Sequence, residues 1–123
     1  MERVQSYRDL IVWNKAMDLV VEVYRVSTAF PASERFRLID QMTRAVVSVP
    51  ANIAEGQGRG TSKDFAQFLA IARGSLNETE TYLLLAIRLG YLTADQAERA
   101  LALLTEVSKM LGALRAKVLQ RPR

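Results

Sequence analysis

Residues 44–80 read RAVVSVPANIAEGQGRGTSKDFAQFLAIARGSLNETE, and this stretch limits the possible folds more than any other part of the chain. An apolar ladder carrying Pro50 runs into a glycine-rich stop at Gly56, Gly58 and Gly60, where left-handed backbone is expected to end a helix. Thr61 or Ser62 then caps a second ladder, with Asp64 placed to meet the first-turn dipole. Pro50 lacks the N–H that would reach the Val46 carbonyl, and it disfavours helical geometry at Val49. The ladder still keeps step from Val49 to Ile53, which predicts one continuous helix kinked at Pro50. These residues encode a tight helix–turn–helix corner, and they contain no nucleophile–base pair.

The same periodicity extends outward. Leu10, Trp13, Met17, Val20 and Tyr24 step 3-4-3-4 and are read as the core face of a first helix. Ile39, Met42, Val46, Val49 and Ile53 form the second ladder, and Phe65, Leu69, Ala72, Leu76, Leu83 and Ile87 the third. Ala97, Leu101, Leu104, Leu111, Leu114 and Val118 form the fourth. No period-two alternation persists, so the expectation is all-α: four amphipathic helices, at about 8–28, 33–56, 62–89 and 94–119, in one domain over 1–123. Ser33 is the expected N-cap of helix 2, Gly90 the stop of helix 3, and Thr93 with Gln96 a capping box for helix 4. Short connections make consecutive helices antiparallel, giving an up-down-up-down four-helix bundle. A helix 3 of about 28 residues would be ~42 Å long.

Composition removes several function classes. The 123 residues contain no cysteine and no histidine, so no disulfide framework exists and imidazole-based metal or acid–base sites cannot be built. No acidic cluster supports a hard-cation site, so neither a metal nor another cofactor is expected. The longest apolar run, residues 82–87, is far short of a membrane span, and the N-terminus lacks a signal-peptide core. A cytoplasmic, non-enzymatic protein is expected.

Two surfaces remain for binding. The net charge is +4, and no acid follows Glu106 while Lys109, Arg115, Lys117, Arg121 and Arg123 do. These cations either complement a helix C-terminus or attract nucleic acid; both readings stay open. With Arg59 and Lys63 bracketing the glycine loop, the candidate nucleic-acid contacts are Arg59, Lys63, Arg115 and Lys117. The nine aromatics provide no recognisable base-stacking face interleaved with cations. The second surface is apolar. Helix 1 is greasy nearly all round, and so is helix 3 near its end, which predicts self-association through Ile11, Val12, Leu19, Val23, Leu84 and Leu85. A polar stripe on helix 2 through Arg37, Gln41, Arg44, Ser48, Asn52 and Glu55 is expected to form a structural network. Arg44 or Asn52 would satisfy carbonyls freed by Pro50 or meet Glu78 on helix 3, where Gly74 and Ser75 would allow close backbone approach. Folding about residue 58 would set Asn52 level with Phe65 and Arg44 level with Arg73.

Several of these residues carry a family resemblance: YRDL at 7–10 with Trp13 and Ala16, FP at 30–31, RAVVSVPANIAEG at 44–56, GR at 58–59, SKDF at 62–65, GSLNE at 74–78 and LGY at 89–91. Over about residues 5–92 the chain resembles the small proteins encoded in intervening sequences of bacterial 23S ribosomal RNA genes, the S23 ribosomal protein family. These are similar in fold to accessory proteins of diversity-generating retroelements. The resemblance implies a left-handed bundle assembling as a homopentamer. The retroelement relatives imply nucleic acid, RNA first, and a polymerase as candidate partners. The expected function is thus a homo-oligomeric helical scaffold that binds RNA through basic rims. The alternative is a protein-binding adaptor with no nucleic-acid contact.

Overall fold

The computed structural model describes residues 6–121, which form four α-helices and, among the described residues, no strand. They are α1 (Ile11–Ser27), α2 (Asp40–Gly58), α3 (Ser62–Arg88) and α4 (Ala94–Leu119). Each helix packs on two neighbours, α1 and α3 both lying between α2 and α4, as in a four-helix bundle. Cross-helix contacts run in opposite sequence order. Gln41 meets Tyr82 while Gly56 meets Phe65 and Phe68, and Lys15 pairs with Glu106 while Glu22 faces Arg99. The α2–α3 register is therefore centred beyond Gly60 and not near residue 58, because α2 continues through Gly56 and Gly58 before the chain turns.

The core is aliphatic. Met42, Val46, Val49 and Ile53 of α2, Leu69, Ala72, Leu76 and Leu83 of α3, and Ala97, Leu104, Leu111 and Val118 of α4 are fully or almost fully buried, as their spacing predicts. In α1 the buried face is rotated from the expected one by about 120°. The buried face is Val12, Ala16, Leu19, Val23 and Val26, whereas Met17 and Tyr24 are 41% and 50% exposed. Both faces of this helix carry apolar residues at helical spacing, so periodicity could not choose between them. The core takes the face of smaller side chains. Leu10, Trp13 and Val20 lie at its flank, partly buried, with the Trp13 ring edge-on to Tyr7.

The helix ends follow local chemistry. Thr61 accepts a hydrogen bond from the Asp64 amide, and Thr93 and Gln96 close a capping box on α4. Among the described residues only Gly60 and Gly90 have left-handed backbone, at φ +87° and +79°. Gly56 lies inside α2 and serves packing instead: a Cβ there would stand 2.5 Å from the Phe68 Cβ. The close approach expected at Gly74 is absent, since nothing lies within 4 Å of its hypothetical Cβ. Helix α2 passes through Pro50 without ending.

The entry to α2 departs furthest from expectation. Ser33 does not cap it; residues Ala32–Glu34 form a 3-10 turn and Arg35–Ile39 a π-helical turn before α geometry begins at Asp40. Arg35 stands seven residues before Met42, so continued α geometry would aim it at the core. The wider π turn breaks that phase and leaves Arg35, Phe36 and Arg37 all exposed. Beneath this turn, Phe30 is buried against the Tyr91 ring, whose hydroxyl donates to the Glu34 carboxylate at 2.7 Å.

Candidate nucleic-acid interface

The first turns of α3 and the last turns of α4 enclose a groove of about 810 Å³. Gly60 lets the chain reverse, Thr61 starts α3, and the side chains of Lys63, Arg115 and Arg121 line the opening over a floor that includes Ala66, Ala70 and Val118. The Arg115 Nε donates to the Ala66 carbonyl at 3.0 Å, tying the end of α4 to the start of α3. No carboxylate lies within 4 Å of Lys63, Arg115 or Arg121 among the described residues. Asp64 is the one acid in the lining, and Thr61 receives its amide. A smaller hollow of about 220 Å³ shares Gly60, Thr61, Ser62 and Arg121 with the groove and extends it across the bundle end toward Leu10. Clustered cations beside flexible glycine backbone suit phosphate, whose recognition is electrostatic and tolerant of sequence.

Of the four cations singled out in the sequence, two come together here and two do not. Lys63 and Arg115 share the groove. Arg59 is turned away, its Nε bonded to Glu55 at 2.8 Å and its guanidinium 5.0 Å from the centre of the Phe68 ring. Lys117 is exposed outside the lining, and Arg123 lies outside the described residues. Arg121 completes the groove; it belonged to the basic tail by count, but a position at the frayed end of a helix gives no directional signal.

The α2 polar stripe forms the expected network only in part: Gln41 reaches α3, at Tyr82. The others with bonds stay within their own helix: Arg44 to Asp40, Ser48 to the Ala45 carbonyl, Asn52 to the Ser48 carbonyl, Glu55 to Arg59. None of these reaches the Val46 carbonyl, and Glu78 receives the Tyr82 hydroxyl instead of Arg44. The same hydroxyl, which has one proton to share, also lies 2.9 Å from the Gln41 Oε1, and this makes Tyr82 the polar bridge between α3 and α2. Burial and the Glu78 carboxylate both raise the Tyr82 pKa above the ordinary phenol value. At the far end of the bundle Glu22 is buried, held by Arg25 at 2.7 Å with Arg99 at 3.9 Å. Its hydrogen bond and charge raise the Arg25 pKa.

The predicted self-association residues also divide. Val12, Leu19 and Val23 belong to the core and cannot serve as an outer surface, a correction that follows from the rotated phase of α1. Ile11, Leu84 and Leu85 are exposed, and the apolar outer stripe of α1 is Met17, Val21 and Tyr24. Val21 is 68% exposed. Among the described residues no cluster of three or more acids could hold a metal ion, and no helix is long and apolar enough to cross a membrane.

Residues 8–113 match the family described as 23S rRNA-intervening sequence protein, a span that takes in α1, α2, α3 and α4 as far as residue 113. The chain belongs to this family. A crystal structure of a family protein from Bacteroides thetaiotaomicron is similar: 30% identity, TM-score 0.79, covering 85% of this chain and 98% of that one. That protein is described as one of unknown function from the S23 ribosomal protein family. No curated protein matches the chain. The family assignment therefore gives a fold and a set of relatives, and the chemistry has to come from the surfaces described above.

Proposed function

We propose that this protein is a non-enzymatic, self-associating helical scaffold that holds RNA through the groove between α3 and α4. The groove supports the reading: three cations without carboxylate partners among the described residues line one opening, at the end of the bundle where α4 carries no acid beyond Glu106. Net charge of +4 per copy adds a long-range attraction for polyanions. The apolar residues support the assembly. Met17, Val21 and Tyr24 lie on the outer side of α1, and Leu84, Leu85 and Leu89 are exposed near the end of α3. Because α1 and α3 are not neighbours in the bundle, these two surfaces face different ways. A face of one copy against a different face of the next is a head-to-tail contact, which closes into a ring when the rotation permits. A pentamer is the ring we propose. Copies so arranged would repeat the groove around one rim.

Binding to a structured RNA across a salt series tests the reading. Affinity should fall steeply with salt, and Lys63→Glu, Arg115→Glu or Arg121→Glu should each lower the log–log salt slope by about 1 while weakening all sequences alike. Light scattering should give a mass several times the 13.8 kDa chain, returning to that of a monomer in Val21→Asp. An assembly that ignores RNA at low salt favours the adaptor instead, with the exposed leucines of α3 as its contact.

A further inference from the structure

We infer that Phe36, with Arg35 and Arg37, forms a second nucleic-acid contact that stacks an unpaired base; the inference deepens the RNA reading and rests on it. Phe36 is 85% exposed, the most exposed large apolar side chain among the described residues. Such exposure costs solvation and contributes nothing to the fold. Phe36 sits in the π turn spanning Arg35–Ile39, off the buried face of α2. The two neighbouring arginines are exposed, and neither lies within 4 Å of a carboxylate among the described residues. The nearest acids in sequence are engaged, Glu34 by the Tyr91 hydroxyl and Asp40 by Arg44. The Arg35 guanidinium lies over the Phe36 ring, 6.0 Å from its centre, so a cation already sits on one face and the other is left for a base.

An exposed aromatic face with flanking cations is what a single strand requires. The ring offers a π surface to any base, and the arginines meet the phosphates on either side. A duplex, with its bases already stacked on each other, gains only the charge. A protein partner would need an apolar surround, and here the flanks are two unneutralised cations. The turn lies at the start of α2 and the groove beside its end, so the nineteen residues of α2 separate them by about 28 Å. The two contacts would hold different parts of one RNA.

The test uses fluorescence anisotropy with labelled oligouridylate and with an RNA duplex of equal length. Phe36→Ala should weaken oligouridylate binding about fivefold to 150-fold, the range that base–aromatic stacking provides, and leave duplex binding unchanged. Phe36→Trp should retain the affinity. The side chain is exposed, so both variants should melt as the parent does. Phe36→Ala that binds oligouridylate like the parent, while Lys63→Glu weakens both probes, overturns the stacking contact and spares the groove. Equal weakening of both probes by Phe36→Ala also overturns it, as does a change of assembly mass, which would make Phe36 a contact between copies. Failure of the parent to bind either probe at low salt overturns both readings.

Discussion

Helix α1 carries seven valine, isoleucine and leucine residues in seventeen and α2 only four in nineteen, yet it is the sparser helix that states its orientation. In α2 the apolar ladder has a single helical solution, and Met42, Val46, Val49 and Ile53 are all buried. In α1 two solutions exist on different sides. The core takes Val12, Ala16, Leu19 and Val23 and leaves Met17, Val21 and Tyr24 outside. The difference teaches that a one-sided pattern encodes packing within a chain. A two-sided pattern encodes packing plus a further surface, without saying which side is which. The side left over matters most to function here.

The comparison breaks or stands on one pair of substitutions in α1. Leu19→Ala should destabilise by about 2–5 kcal/mol, since Leu19 has no exposure at all. Met17→Ala should stay within about 1 kcal/mol in the dilute monomer. Urea unfolding of both would decide, and a larger cost at Met17 would mean that the helix faces the other way. A smaller pair sharpens the contrast within the corner between α2 and α3. Gly56→Ala should cost about 1–3 kcal/mol, because the added methyl meets the root of the Phe68 side chain and not a flexible tip. Gly74→Ala should gain about 0.5–1 kcal/mol, having open space and an α-helical backbone. The least effect is expected at Tyr91, where α2's entry rests on the α3–α4 corner. Its hydrogen bond to Glu34, then burial, raises its pKa above the phenol's usual value near 10. The stabilisation is therefore complete at neutral pH and is lost as pH rises past about 10 through the higher folded value. Comparing parent and Tyr91→Phe stabilities, the gap should be present at pH 7 and shrink in strong alkali.

The readable parts of this molecule were those with local causes. Caps at Thr61 and Thr93, the left-handed Gly60 and Gly90, and three of four ladders follow from the nearest few residues. Gly56 was visible as a glycine, but its reason lies across the corner, on Phe68, and reading it as a helix stop shifted the α2–α3 register. The α2 stripe was visible too, yet spacing cannot say whether a polar side chain bonds its own helix or a neighbour; here Arg44 and Asn52 bond their own and Gln41 reaches α3. For the candidate interface, connectivity alone brings Lys63 near Arg115. The pairing of Arg59 with Glu55 is an i,i+4 contact that spacing would have shown. Phe36 carried no such signal. It lies in a π turn, and no local propensity announces one.

The bond from Arg115 to the Ala66 carbonyl makes the groove's cations unequal. One guanidinium is a fixed post, already oriented before any phosphate arrives, so a ligand reaching it forfeits little side-chain freedom. Lys63 and Arg121 are swinging arms that must be stilled on contact. A polyanion would thus find its register at the post and its tolerance for irregular shape in the arms.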